Sequence, residues 1–246
     1  MSNLLCELIL LVVVLVEVRA SSRAAFLLAG IAYEPYLRHH RYGRLVVDYR
    51  KSLDNYHSHI FDYLRNKGFD TDVFLCTVTS KLDKQLLLDY KPVRHAFVQH
   101  SDLSVKSGDH FSKMEKQRQA INLALKYSQE ASVNYSTVIL TRFDLLFQED
   151  FADSNIKWDM LNLVSTLQEK RYIDDNFYAM PFDKLRAFDG VLAQALRTRT
   201  WSHGLLPSFR GVAEVNFIKD EGQRAEELSW FRIVRKKARI VRAKRR

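Results

Sequence analysis

Short apolar runs alternate with amphipathic segments along most of this chain, and that alternation limits the folds open to it more than any other feature. Residues 24–32 (AAFLLAGIA) are almost wholly apolar and are closed by a Gly-containing loop and Pro35. A run that is apolar on both faces reads as a buried parallel strand. Residues 52–66 follow, with Leu53, Tyr56, Ile60, Tyr63 and Leu64 at helical spacing and Gly68 just beyond. That pattern predicts an amphipathic helix stopped by a glycine. The same reasoning predicts strands over 71–78 and 95–99, and a short helix over 81–90 that ends before Pro92. The best helix of the chain is expected over 113–131. A fourth strand is expected over 137–147 (TVILTRFDLLF), its apolar run broken by Thr141, Arg142, Phe143 and Asp144.

Strand and helix in alternation imply an α/β, Rossmann-like domain with a mostly parallel central sheet and right-handed crossovers. Such sheets bind ligands beyond the carboxyl ends of their strands. The loops after residues 32, 78, 99 and 141 therefore face the expected site. Beyond Phe151 the pattern is less regular. Residues 171–180 read as a strand or loop leading into a helix at 182–196, 201–211 as a loop and 213–219 as a late strand.

The charge is unevenly placed. The chain carries 38 Lys+Arg against 29 Asp+Glu, a formal net charge of +9. Nine of the basic residues lie in 232–246, a stretch without an acid. Removing them leaves 29 of each sign, so the basicity belongs to a C-terminal tail and nucleic acid is not an expected partner. The tail alternates charge with Ile233, Val234, Ile240 and Val241, which suits contact with an anionic membrane surface or a solvated terminus.

The amino end is of opposite character. Residues 4–16 (LLCELILLVVVLV) are apolar apart from Glu7, and Val18 and Ala20 stand where a cleavage site needs small residues. Residues 1–20 read as a secretory signal peptide, shorter than a membrane span usually is; the rivals are an uncleaved anchor and a buried structural segment. Between these ends, 24–230 reads as one domain, in the endoplasmic reticulum or Golgi lumen, anchored or secreted. With one cysteine in the leader (Cys6) and one in the body (Cys76), the cleaved chain makes no internal disulfide. Asn134, Tyr135 and Ser136 form an N-glycosylation triplet, usable only in a secretory lumen.

The segment richest in chemistry is Arg142-Phe143-Asp144. Charges at the end of a buried strand are costly unless paired or solvated in a cleft. Two residues apart in an extended chain, Arg142 and Asp144 share a face. An Arg can neutralise a diphosphate and an Asp can hold the divalent cation bound to it; the alternative is an ion pair that caps the strand. Gln117 and Arg118 are expected in the first turns of the long helix, where they would reach a phosphate or form a solvated face. No Walker loop, G-x-G-x-x-G, nucleophile elbow, H-E-x-x-H or paired C-x-x-C is present.

In its opening strand AFLLAGIAY, second strand TDVFLCT, helix KQRQAINLAL, fourth strand VILTRFDLLF and later DDNFYAMPF, the chain resembles the GT-A glycosyltransferases over roughly 24–219. These are Rossmann-like enzymes that move a sugar from a nucleotide-sugar donor to an acceptor hydroxyl. The resemblance implies a hexosyl- or pentosyltransferase of the secretory pathway, acting on a glycan or other hydroxyl acceptor. It implies nucleotide contacts from the end of the first strand and its loop, at Gly30, Ala32 and Tyr33. It also implies diphosphate binding through Mn²⁺ or Mg²⁺ at a motif that is normally Asp-x-Asp. Here only the second Asp is present, as Asp144. One carboxylate is a thin site for a hard cation, and Arg142 as the diphosphate counter-charge is a physically reasonable metal-free alternative. Asp175, with Asp174 beside it, stands where an acceptor base is needed in an inverting transfer, helix capping being the bland reading. Some relatives supply a late His to the metal, which implies His203, otherwise a surface or packing residue. Trp201 stacks on a sugar ring or lies in the core. A non-catalytic lumenal binding relative and a basic-tailed membrane or nucleic-acid adaptor are the competing functions.

Overall fold

The computed structural model describes residues 22–39, 43–99, 110–167, 172–219, 230–233 and 236–237. The expected leader, the loop after residue 99 and nearly all of the basic tail lie outside them. Among the described residues no helix is long and apolar enough to cross a membrane.

Seven strands form the central sheet. They are β1 (Ser22–Gly30), β4 (Phe69–Val78), β5 (Arg94–Val98), β6 (Tyr135–Thr141), β8 (Leu161–Leu163), β11 (Phe177–Pro181) and β12 (Val215–Phe217), in the order β12-β8-β11-β6-β1-β4-β5. β1 is parallel to β4 on one side and to β6 on the other. β11 runs antiparallel to both β6 and β8 and alone opposes the general direction. This is the expected α/β, Rossmann-like architecture with a mostly parallel sheet.

Period-2 alternation explains the layering. Ala25, Leu27 and Ala29 of β1 face one side, against Met114, Ile121 and Ala124 of the helix α4 (His110–Glu130). Ala24, Phe26 and Leu28 face the other, against Tyr56, Ile60 and Leu64. Those three residues lie on a continuous helical segment made of α1 (Leu53–Tyr56), a π turn (His57–Phe61) and α2 (Asp62–Asn66). Gly68 follows at φ 82°, the left-handed conformation that a glycine tolerates. The helix α3 (Asp83–Tyr90) ends one residue before Pro92, at left-handed Lys91. Helices α5 (Leu185–Thr198) and α6 (Leu206–Arg210) complete the layers, α5 being the helix expected at 182–196.

Three departures from the expected pattern have local causes. The segment after residue 32 is a hairpin, β2 (Tyr33–His39) and β3 (Gly43–Asp48), rather than a loop. Pro35 does not stop β2, because the pairing shifts register between Glu34 and Leu37 and no ladder bond is asked of a residue lacking an N–H. The strand expected over 137–147 is two strands, β6 and β7 (Leu145–Phe147), parted by Arg142, Phe143 and Asp144. The long helix begins at His110, so Gln117 and Arg118 lie in its third turn and not in its first, away from the exposed N–H groups of the helix start.

Three further pairings complete the described sheets. β9 (Thr166–Leu167) pairs with β10 (Tyr172–Ile173). β13 (Phe231–Ile233) pairs with β7, and β14 (Lys236–Lys237) pairs with β3. Trp230 anchors this end, buried against Phe147 and Phe177 with ring centroids 5.3 and 4.9 Å away.

Candidate functional site

Strand order reverses at β1. From β1 the sheet grows outward through β4 to β5, and then the chain returns to lay β6 on β1's other side. The crevice at the carboxyl ends of β1 and β6 is therefore the topological switch point, where open α/β sheets bind ligands.

The β6 side of this crevice holds a connected polar network. Arg142 forks onto Asp144, Nε to Oδ1 and a terminal nitrogen to Oδ2, each at 2.7 Å. Its remaining terminal nitrogen donates to Asn176 Oδ1 at 2.7 Å. Asn176 reaches this position because β11 pairs Phe177 with Thr141, and because Thr141 Oγ1 donates to the Asn176 carbonyl at 3.1 Å. Asp174 accepts from the Asn176 backbone N–H at 2.9 Å and from its side-chain amide at 3.1 Å. Lys113 of α4 lies 2.7 Å from Asp175 Oδ1 and 3.4 Å from Asn176 Oδ1. Ser202 donates to the other oxygen of Asp175. His203 Nδ1 is 2.8 Å from the Ile173 carbonyl, which makes it the protonated nitrogen, and 3.8 Å from Asp175.

The turn that carries Arg142 and Asp144 is held from the opposite layer. Tyr56 donates its hydroxyl to the Arg142 carbonyl and accepts from the Leu145 N–H. Ser52 donates to the Phe143 carbonyl, and the Phe143 ring packs in the core against Tyr90. The apolar residue between the two charges is thus the anchor that presents them.

Burial and charge act differently on the two neighbouring aspartates. Burial pushes both carboxyls up. At Asp174 the charge of Asp175 adds to it, and the carboxyl stays above its usual range despite the bonds from Asn176. At Asp175 the Lys113 ammonium, His203 and the Ser202 hydroxyl outweigh burial and hold the carboxyl well below that range. Burial lowers Lys113, the Asp175 charge opposing it only in part. Burial also works against the Arg142 charge, but Asp144 more than compensates and the guanidinium stays protonated.

The structure brings Arg142, Asp144, Asp174 and Asp175 together, and adds Lys113, Asn176 and Ser202, which had not been singled out as site residues. Helix capping does not account for Asp174 and Asp175, since β11 intervenes before α5 begins at Leu185. Arg118 lies elsewhere, forked onto Asp189 of α5 at 2.8 and 3.0 Å. Gln117 is buried in the interior, its Oε1 without a hydrogen-bond partner. Both oxygens of Asp144 accept from Arg142, and among the described residues no cluster of three or more His, Cys, Asp or Glu is placed to hold a metal ion.

Gly30 ends β1, and Ala32 and Tyr33 follow it. Leu28 is in register with Thr141, so Gly30 and Arg142 leave neighbouring strands at the same edge. Gly30 has φ 148°, and a Cβ built on it meets nothing within 4 Å, so the backbone there borders open space. Ala32 donates its N–H to Thr77 Oγ1 at 3.0 Å, and Tyr33 begins β2 with the Lys81 ammonium 5.4 Å from its ring centre.

No known protein family matches the chain by sequence, and no curated protein does. Solved structures similar to it include the inositol-1-phosphate CTP transferase from T. maritima, at 14% identity and a TM-score of 0.40, over 82% of this chain and 87% of that one. They also include the nucleoside-diphosphate-sugar pyrophosphorylase from Vibrio cholerae RC9, at 10% identity and a TM-score of 0.41, over 80% of this chain and 92% of that one. Fold and site together define an α/β, Rossmann-like domain with a charged network at its switch point.

Proposed function

We propose that this chain is a glycosyltransferase of the secretory pathway that binds a nucleotide-sugar donor in the β1–β6 crevice and passes the sugar to an acceptor hydroxyl. The observation that carries the reading is the hydrogen bond from Arg142 to Asn176, which joins the motif after β6 to the acidic segment before β11 at the switch point. The β1 edge at Gly30 and Ala32 takes the nucleotide, and Arg142 faces the diphosphate. Asp144 holds Arg142 in place rather than a metal ion, so the transfer is metal-independent.

Of the two aspartates, Asp174 is the better proton acceptor. Its carboxyl is raised by burial and by Asp175 and is bonded by the neutral donors of Asn176, whereas Asp175 is paired with the Lys113 ammonium and bonded by Ser202. Asp175 then positions the late loop.

Calorimetric titration with UDP-, GDP- and CMP-sugars, followed by donor-hydrolysis assays with and without EDTA, tests this. One donor class should bind, turnover should survive EDTA, and Asp174→Asn should lower kcat by about 100-fold or more. Failure of every donor to bind, or abolition of turnover by EDTA, overturns it.

The second reading is a lumenal nucleotide-sugar binder without catalysis. The internal pairing of Arg142 with Asp144 and of Lys113 with Asp175 favours it, since each cation already has its counter-charge. Donor binding without turnover on any acceptor would select it.

A further inference from the structure

The polar network extends past the crevice into the loop after α5. Asp175 gives one oxygen to Lys113 and the other to Ser202, and His203 bonds the Ile173 carbonyl. The short 3-10 turn Ser202–Gly204 is therefore pinned to residues 173–175 from two of its three positions. Asp175 is 3% exposed and Ser202 is fully buried, so the turn is fixed from the interior in one orientation.

The residue at the head of this turn is Trp201. It is not core: it is 58% exposed, one of two large exposed apolar side chains among the described residues, the other being Leu88 on α3. The other tryptophans are placed differently, Trp230 fully buried and Trp158 stacked on Tyr63 at 6.4 Å. Trp201 adjoins Ser202 in the chain, so its Cα lies about 3.8 Å from that of the residue bonded to Asp175. An indole offers a flat apolar face with one N–H donor. A pyranose ring has a matching apolar face of axial C–H groups, with hydroxyls around its rim.

We propose that Trp201 is the platform for the acceptor, and that the acceptor is a carbohydrate whose terminal pyranose stacks on the indole with a hydroxyl directed toward Asp174. The proposal rests on the transferase reading for the acceptor's role, whereas the stacking site itself does not depend on turnover. It selects a glycan over a protein hydroxyl or a lipid as the receiving molecule.

The test uses ¹⁵N-labelled full chain titrated with methyl β-galactopyranoside, methyl β-N-acetylglucosaminide and methyl α-mannopyranoside, alone and with a saturating nucleotide donor. At least one glycoside should shift the Trp201 indole N–H signal and leave that of Trp230 in place. Its affinity should fall at least tenfold in Trp201→Ala and be largely kept in Trp201→Phe, with donor binding unchanged in both. Glycosides that leave the Trp201 signal unmoved, or that bind Trp201→Ala as tightly as the parent, overturn the proposal even where the donor binds. Glycoside binding at Trp201 in a chain that binds no donor would instead remove the transferase reading and leave a carbohydrate site.

Discussion

Arg142 is forked onto both carboxylate oxygens of Asp144 at 2.7 Å, and both side chains are largely withdrawn from water, at 14% and 4% exposure. The pair stands at the carboxyl end of β6 and neutralises itself. Truncating one partner of such a pair strands the other charge in a poorly solvated place. Arg142→Met should therefore cost about 3–5 kcal/mol of stability, and Arg142→Met with Asp144→Leu should recover most of it. Urea midpoints of the single and double variants decide; equal midpoints for the parent and Arg142→Met would show that Asp144 does not rely on its partner.

Asp175 makes a pH-dependent contribution of known sign. Although burial alone would raise its carboxyl, Lys113 and His203 hold it below the unfolded value. The stabilisation is then complete above the ordinary carboxylate range and is lost as pH falls through the depressed folded value, so its decline starts below about pH 4. Asp175→Asn should cost about 3 kcal/mol at pH 7, where Lys113 loses its counter-charge, and should flatten the acid limb of the stability curve. Denaturation followed from pH 7 to pH 2 reads both effects.

Lys116 behaves in the opposite way. It is buried without a carboxylate within ion-pair distance among the described residues, 2% exposed, and its ammonium donates to Ser112 on its own helix. Burial lowers it to about 8. The unfolded chain takes up this proton first, near pH 10.4, so stability should rise with pH between about 8 and 10.4. Below that window the full penalty applies, on the order of 3 kcal/mol. Lys116→Met should stabilise the protein at pH 7 by about 2 kcal/mol and abolish the alkaline rise. A rise that persists in the variant would assign it to another group.

Gly30 borders the crevice with a backbone that side chains rarely adopt. A methyl there meets no atom within 4 Å, so Gly30→Ala tests conformation without a clash. A loss of about 1–2 kcal/mol is expected in thermal or urea unfolding. An unchanged midpoint would show that the turn relaxes to a conformation open to alanine.

Much of the fold was legible because its signals are local. The apolar runs at 24–32 and 71–78 became β1 and β4, since a strand covered on both faces must be apolar throughout, and the shorter run at 95–99 became the partly exposed edge strand β5. The break at Arg142 and Asp144 was legible for the same reason, as charge inside such a run. The hairpin β2–β3 was not, because Pro35 reads locally as a stop and its tolerance depends on a register shift against a partner strand. β8, over three residues, is too short to show a period.

The site divides along the same line. Arg142 and Asp144 are two residues apart, so spacing offers their pairing as one reading, and the turn between β6 and β7 realises it. The link to Asn176 exists because β11 pairs antiparallel with β6, and the Lys113–Asp175 contact exists because α4 packs on one face of the sheet, over β1. Neither leaves a mark in residue spacing. Trp201 shows the limit most plainly, since its sequence context suits core and surface equally and only packing leaves it exposed. The sequence by itself determined the α/β alternation, the charged break at Arg142 and Asp144 and the confinement of the excess positive charge to one end, because each depends on neighbours along the chain. Tertiary structure alone decided which distant side chains share the crevice and which carboxylate of the acidic pair is held down, because burial and charge pairing depend on distance through space.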